Sequence, residues 1–173
     1  EPFIALFEAR LDVVELTART DFRLEKMAGL PSWYVPAGAA ADAALDAAFR
    51  RLAGASPRSE VLAVQGRKLV VPAAAQGVAR FDFDALCRRP LGAADYLAIA
   101  QRYHTVILDH VPVMGPDQRN ERRRFIVLID ALYDHHVKLI ASAAAEPADV
   151  VHGGFHADGF ERTASLLSEM RSE

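Results

Sequence analysis

The sequence predicts an α/β fold: a sheet covered by helices, a small antiparallel β segment set into it, and a helix at the C-terminus. Three observations predict it. Thr105-Val106-Ile107-Leu108 is an apolar run of buried-strand type, and Val137-Lys138-Leu139-Ile140-Ala141 is a second strand. Between them Phe125, Leu128, Ile129, Leu132 and Tyr133 fall at i, i+3, i+4, i+7 and i+8, one apolar helical stripe. A strand–helix–strand order defaults to parallel pairing with a right-handed crossover. Upstream, from Ser59 to Phe83, the period changes to that of strands, and downstream Leu166, Leu167 and Met170 lie along a helix from Glu161 to Arg171.

Taken in order, Pro2 suits a first helical turn, with Phe3, Ile4, Leu6 and Phe7 on one face. Leu11 to Leu16 reads as a short strand, and Asp21-Phe22-Arg23 as a polar connection. Trp33, Tyr34 and Val35 form another strand, closed by Pro36. Ala37 to Ala53 is alanine-rich and helical, with Leu45, Ala48, Phe49 and Leu52 on one side and Gly54 as its stop. Ser56-Pro57-Arg58 is a linker. Val61 to Val64, Lys68 to Val71 and Val78 to Phe83 make an antiparallel meander, with a hairpin turn at Gln65-Gly66-Arg67. Asp84 is placed to cap a short helix, Ala85 to Arg88. Pro90-Leu91-Gly92 breaks the chain before a helix from Ala93 to Tyr103. Arg122, Arg123, Ile126, Val127 and Asp130 cannot all be exposed, so the helix carrying them is covered on more than one side. Glu146 to Asp149 turns, and His152 to Gly159 is a glycine-rich loop. Three segments result: 1–55, the end of a core sheet and a helix; 59–83, the meander; and 84–173, the strand–helix–strand unit with the last helix.

Composition narrows the function. The 173 residues are 51% hydrophobic and 25% charged, as a packed chain requires and a disordered one does not. A formal net charge of −3 gives no global pull toward nucleic acid or an anionic membrane. No apolar run is long enough to span a bilayer. Cys87 is the single cysteine, so no intramolecular disulfide forms, and a reducing, cytoplasmic setting is expected. Glu1-Pro2-Phe3-Ile4 has neither a starting Met nor a basic n-region, and reads as the middle of a longer chain.

Several pieces together point to one family. They are Phe81-Asp82-Phe83-Asp84-Ala85-Leu86-Cys87 followed by Pro90-Leu91-Gly92-Ala93-Ala94-Asp95-Tyr96-Leu97; Arg123-Arg124-Phe125-Ile126 with Leu128 to Asp134 and Val137-Lys138-Leu139; and Phe160-Glu161-Arg162-Thr163 with Ser165-Leu166 and Glu169-Met170. In this order they resemble the C-terminal part of the ZapE-type P-loop ATPases, an AAA-like family of bacterial cell division and of mitochondria. The resemblance implies a partial P-loop NTPase-like sheet over 1–173, and an ATPase whose ATP and Mg are bound mainly by residues outside this stretch. It implies a protein partner, in bacteria the FtsZ division ring. No G-x-x-x-x-G-K-[ST] occurs in the 173 residues. Leu166 stands where the family's R-T-x-S-R-L motif carries Arg, while Arg162 is kept.

The candidate sites follow. Arg162, Arg124 and Arg23 are the residues assigned to nucleotide. A guanidinium stabilises charge building on phosphoryl oxygens, and Arg162 sits where second-sensor arginines do in this class; an ion pair with Glu161 or Glu169 is the plainer reading. Arg122-Arg123-Arg124 at a helix start opposes the dipole and hints at an anion, against ion pairing with Asp117, Glu121 or Asp130. Asp109 ends a strand as a Mg-binding Asp does, but His110 follows it in place of a second acid. His135-His136 and His152-x-x-x-His156 have metal-ligand spacing, yet Gly153-Gly154 breaks the second and no metal is assigned. Cys87 reads as a small buried residue. Two further classes stand beside the ATPase: an interaction module pairing its strand edges with a partner or a second copy, and a nucleic-acid binder through Arg122 to Arg124.

Overall fold

The computed structural model describes residues 27–54, 56–151 and 159–172. The expected elements at Phe3 to Phe7, Leu11 to Leu16 and Asp21 to Arg23, and the loop carrying His152 and His156, lie outside the described residues. The chain divides into two compact units, Glu1–Leu30 and Pro31–Glu173. The second holds every element that follows.

In chain order these are β1 (Trp33–Tyr34), α1 (Ala39–Ala53), β2 (Arg58–Val64), β3 (Arg67–Ala75), β4 (Val78–Asp82), a π-helical turn (Asp84–Arg88), α2 (Ala93–Arg102), β5 (Thr105–Val111), α3 (Arg119–Asp134), β6 (Lys138–Ala143), a 3₁₀ turn (Pro147–Asp149) and α4 (Phe160–Ser172). The strands form one sheet in the order β1–β6–β5–β4–β3–β2. β1, β6, β5 and β4 are parallel neighbours, and β3 and β2 continue the sheet antiparallel. The mixed α/β fold, with its parallel core, antiparallel segment and terminal helix, is the one the sequence predicts. The meander is not set apart, however, because β4 pairs with β3 on one side and β5 on the other.

With right-handed crossovers, the steps β4→β5→β6 run one way across the sheet and the path from β1 to β4 runs the other. That places α1 on one face and α2 and α3 on the opposite face. The core agrees. Leu45, Ala48, Phe49 and Leu52 of α1 are buried, as are Val78, Ile107 and Ile140 on the strands it touches. On the other face Phe81, Val106, Leu108 and Leu139 join Tyr96, Ile99, Phe125 and Leu128 in a larger cluster. Covering both faces explains why β5 reads as an unbroken apolar run rather than an alternating one. Each fully buried Leu, Ile or Phe contributes roughly 1.5–3 kcal/mol.

Local chemistry sets the connections. Gln65 (φ 49°) and Gly66 (φ 77°) are both left-handed, and so are Gln76 (φ 52°) and Gly77 (φ 78°). Each pair is the two-residue turn whose twist matches a hairpin. In β3 an irregularity opposite Ser59 takes up Pro72, which has no N–H to give the ladder. Asp95 caps α2 by accepting from the Gly92 N–H at 2.8 Å, and also receives Arg67 at 3.1 Å, so the hairpin and the helix start are tied together. At the π-helical turn the expected cap is displaced by two residues. Asp82, not Asp84, accepts the Asp84 N–H at 3.0 Å, because Asp84 already lies inside the turn and pairs with Arg88.

A Cβ at Gly77 would fall 2.6 Å from the His104 ring. That ring is held by the Gln76 carbonyl at 3.0 Å and Thr105 Oγ1 at 2.8 Å. Gly77→Ala is therefore expected to lower the unfolding free energy by about 1–3 kcal/mol, from the strained φ and the clash together. Urea denaturation checks it, and an unchanged midpoint would mean that the ring yields freely.

Candidate functional site

Parallel strands of an α/β sheet gather chemistry at their carboxyl ends. Here Asp82, the last residue of β4, lies in register with Asp109 of β5. Like charges directly opposite destabilise a strand pair. Arg80 and, when protonated, His110 offset them. Arg80, on the same face two residues back, donates Nε to Asp109 Oδ2 at 2.7 Å and Nη2 to Oδ1 at 2.8 Å, a bidentate fork. Its third nitrogen reaches Asp46 of α1. The hydrogen bond to Asp109 raises the Arg80 pKa further above its ordinary range, against the opposing cost of burial.

The position of His110 depends on a fault in the ladder. Leu108 pairs with Ala141 and Val111 with Ala143, so Asp109 and His110 together face Ser142 alone. This is a β-bulge, and His110 takes φ 62° within it. The His110 N–H, shifted out of the ladder, donates to Ser142 Oγ at 2.9 Å. Consecutive strand side chains normally alternate faces; the bulge brings Asp109 and His110 to the same one. The imidazole then spans two elements, with Nδ1 2.7 Å from Asp82 Oδ2 and Nε2 2.7 Å from Asp42 Oδ1 in the first turn of α1. The bond to Asp82 leads in raising the His110 pKa above 6.5, burial opposes it, and Asp42 adds to the rise.

Asp42, Asp109 and His110 offer one ligand atom each within 4.8 Å, a potential metal-coordinating cluster among the described residues. It does not fit Mg. That ion wants an octahedral shell of oxygens, whereas both Asp109 oxygens are spent on Arg80 and the histidine supplies nitrogen. As built, the network is a charge clamp that fastens α1 to the carboxyl ends of β4 and β5.

The residues expected from sequence lie elsewhere. Arg162 pairs with Asp130 of α3 at 2.7 Å, rather than with Glu161 or Glu169. Arg124 donates to the Cys87 carbonyl at 3.0 Å, joining α3 to the π-helical turn. Arg23 is outside the described residues. Arg122, in the first turn of α3, is buried, and its Nη2 lies 3.5 Å from the Pro116 carbonyl. Cys87 is fully buried, and burial pushes its thiol well above the usual range, so it packs rather than attacks. His135 sits at the end of α3, its Nδ1 3.0 Å from the Ala131 carbonyl. The clamp residues Asp42, Asp46, Arg80, Asp82 and His110 were not singled out by sequence. Their one signal is that Asp82 and Asp109 each close a β-run.

Two expectations follow from the clamp. Arg80→Met strands a carboxylate that is 9% exposed. A cost of about 2–4 kcal/mol is expected in chemical denaturation, below the ~3–5 of a fully buried pair because Arg80 keeps some solvent. Arg80→Met with Asp109→Leu should recover most of it; no recovery would place the cost elsewhere. For His110 the folded pKa is the raised one. Its stabilisation is full below pH 6.5 and lost as pH rises through the folded value. With the ring 46% exposed the effect stays below about 1 kcal/mol. Melting temperatures should fall above pH 6.5 in the wild type and not in His110→Asn, which tolerates the same φ.

The family profile of the AFG1-like ATPases matches residues 1–173. Cell division protein ZapE of Escherichia coli (strain K12) is 32% identical over 173 residues, 99% of this chain and 46% of ZapE. An uncharacterized protein of Schizosaccharomyces pombe is 39% identical over 145 residues, covering 82% of this chain and 32% of that protein. Lactation elevated protein 1 homolog B of Danio rerio is 35% identical over 148 residues, 83% of this chain and 29% of the relative. The chain thus spans less than half the length of each. No solved structure matches it. The profile extends over every residue, and the chain belongs to the AFG1-like ATPase family, as a relative of the ZapE-type cell-division ATPases.

Proposed function

We propose that this chain works as the C-terminal part of an ATP-hydrolysing P-loop ATPase of the ZapE type, acting in cell division. The observation that carries the reading is the alignment of 99% of the chain with ZapE, of which it covers 46%. Bound ATP supplies the phosphoryl bond whose hydrolysis drives the motion, and Mg accompanies it. Both are held mainly by residues outside these 173, which include no G-x-x-x-x-G-K-[ST]. The clamp at the strand ends does not take the Mg.

The contribution of this chain is positional and electrostatic. Arg162, in the first turn of α4 and 64% exposed, pairs with Asp130 and would be free to give its guanidinium to a phosphate oxygen were nucleotide bound. Arg124, at the junction of α3 and the π-helical turn, and Arg23, outside the described residues, are the other two arginines assigned to nucleotide. Leu166 in place of the family Arg leaves Arg162 as the sole cation of its R-T-x-S-R-L motif. The partner is a protein of the division ring, FtsZ in bacteria, met in the cytoplasm. No helix among the described residues is long and apolar enough to cross a membrane. A second reading, an interaction module without catalysis, is favoured by the open edge of β2.

The test is magnesium-dependent ATP turnover by the intact protein and by this 173-residue chain. The intact protein is expected to turn over and the chain alone to stay at background; an inactive intact protein would sink the proposal. Within the intact protein Arg162→Ala should lower turnover by about 100-fold, whereas Asp130→Ala, which breaks the same ion pair but keeps the guanidinium, should not. Equal losses in both variants would reduce Arg162 to a helix tether.

A further inference from the structure

We infer that β2 is a self-association edge, through which two copies of this chain pair antiparallel about Val61 to form one continuous sheet. The inference concerns a surface remote from the arginines assigned to nucleotide and stands whether or not the intact protein hydrolyses ATP.

Among the described residues β2 is the last strand of the sheet, and nothing pairs with its outer side. The hairpin fixes which of its backbone groups are open. Val64 and Arg67 flank a two-residue turn and are partners in register. In such a hairpin the flanking residues form the hydrogen-bonded pair, and the pattern alternates from there. Val64, Leu62 and Glu60 therefore give their N–H and C=O groups to β3. Ser59, Val61 and Ala63 aim theirs away from it, into solvent.

Edges of this kind are normally blunted by charge, by proline or by a covering element. Among the described residues β2 has none of these from Val61 to Val64. Its acidic residue, Glu60, is already engaged by the Tyr103 hydroxyl at 2.5 Å and by Arg102 at 3.4 Å. Val61 is 57% exposed and stands opposite Val70, itself 48% exposed, on the uncovered face of the hairpin. An uncharged apolar edge of this pattern selects an uncharged apolar strand, and β2 itself is one.

The register follows from the same facts. Antiparallel pairing centred on Val61 sets Val61 against Val61 of the second copy, and Ser59 against Ala63. The residues with outward backbone groups, Ser59, Val61 and Ala63, are then opposed to one another. Glu60 falls opposite Leu62 and Arg58 opposite Val64, so no like charges meet. Centring on Glu60 instead would oppose two carboxylates and offer the groups already used by β3. On the uncovered face the Val70–Val61 pair becomes a row of four valines across the junction. The symmetry is two-fold and closed, giving a dimer rather than a fibre.

The test is the mass of the 173-residue chain by sedimentation velocity and light scattering over a concentration series. A reversible dimer is expected. Hydrogen exchange at the Val61 and Ala63 amides, unprotected in a monomer, should slow as concentration rises. Val61→Lys opposes two ammonium groups at the centre and should weaken association by about tenfold or more. Ala63→Pro removes an outward N–H that the intramolecular ladder does not use, and should abolish the dimer with little change in melting temperature. A chain that stays monomeric throughout the series overturns the inference, and so does a dimer that survives both substitutions.

Discussion

The grip of Arg80 on Asp109 lets the strand ends of this sheet exist as they do. Parallel pairing sets Asp82 beside Asp109, and packing beneath α1 denies Asp109 the water that would otherwise solvate it. A carboxylate in that position needs a fixed counterion, and a guanidinium on the neighbouring strand meets both of its oxygens at once. With Asp109 neutralised, the bulge can turn His110 toward α1. With His110 in place, Asp42 and Asp82 share one imidazole. The helix on one face and two strands of the sheet are thereby locked at a common corner. Mutual pairing, rather than a metal, meets the electrostatic demand there.

Much of the scaffold is legible in the sequence, for a simple reason: burial imposes a period. Leu45, Ala48, Phe49 and Leu52 announce α1, and Phe125, Leu128, Ile129 and Leu132 announce α3, because each stripe repeats at the helical spacing and each becomes core. Gln65-Gly66 announces its turn through the glycine. The clamp is not legible in that way. Arg80 and Asp109 are 29 residues apart, and His110 and Asp42 are 68 apart. No local pattern says that these strands and this helix meet. The bulge is more hidden still, since the hydroxyl that holds the His110 amide belongs to Ser142, on a strand after the next helix. Asp84 illustrates the smaller error. An acid before a helical turn reads as its cap, but the chain enters the turn one residue sooner, with Asp84 inside it, and Asp82 accepts the Asp84 N–H instead.

Family membership and local geometry therefore speak to different parts of the molecule. The motifs that carry the family, around Phe81, Arg123 and Phe160, build the face covered by α2, α3 and α4. Arg124 and Arg162 belong to that face and tie its elements together. The clamp lies on the opposite face, under α1, and Arg80, Asp42 and Asp46 lie outside those motifs. One sheet thus carries the motif-bearing side chains on one face and the clamp on the other, with Asp82 the one clamp residue that lies within a family motif.

The last helix adds a mechanical consequence. α4 buries Phe160, Leu166, Leu167 and Met170, yet the polar contacts at its rim are made by side chains: Arg162 to Asp130, Tyr133 to Glu169, Lys138 to the Met170 carbonyl and Arg171 to Glu146. Among the described residues no hydrogen bond between peptide groups joins it to the sheet. Detaching this helix would expose its buried apolar side and break those side-chain contacts, yet it would sever no pairing among the six strands.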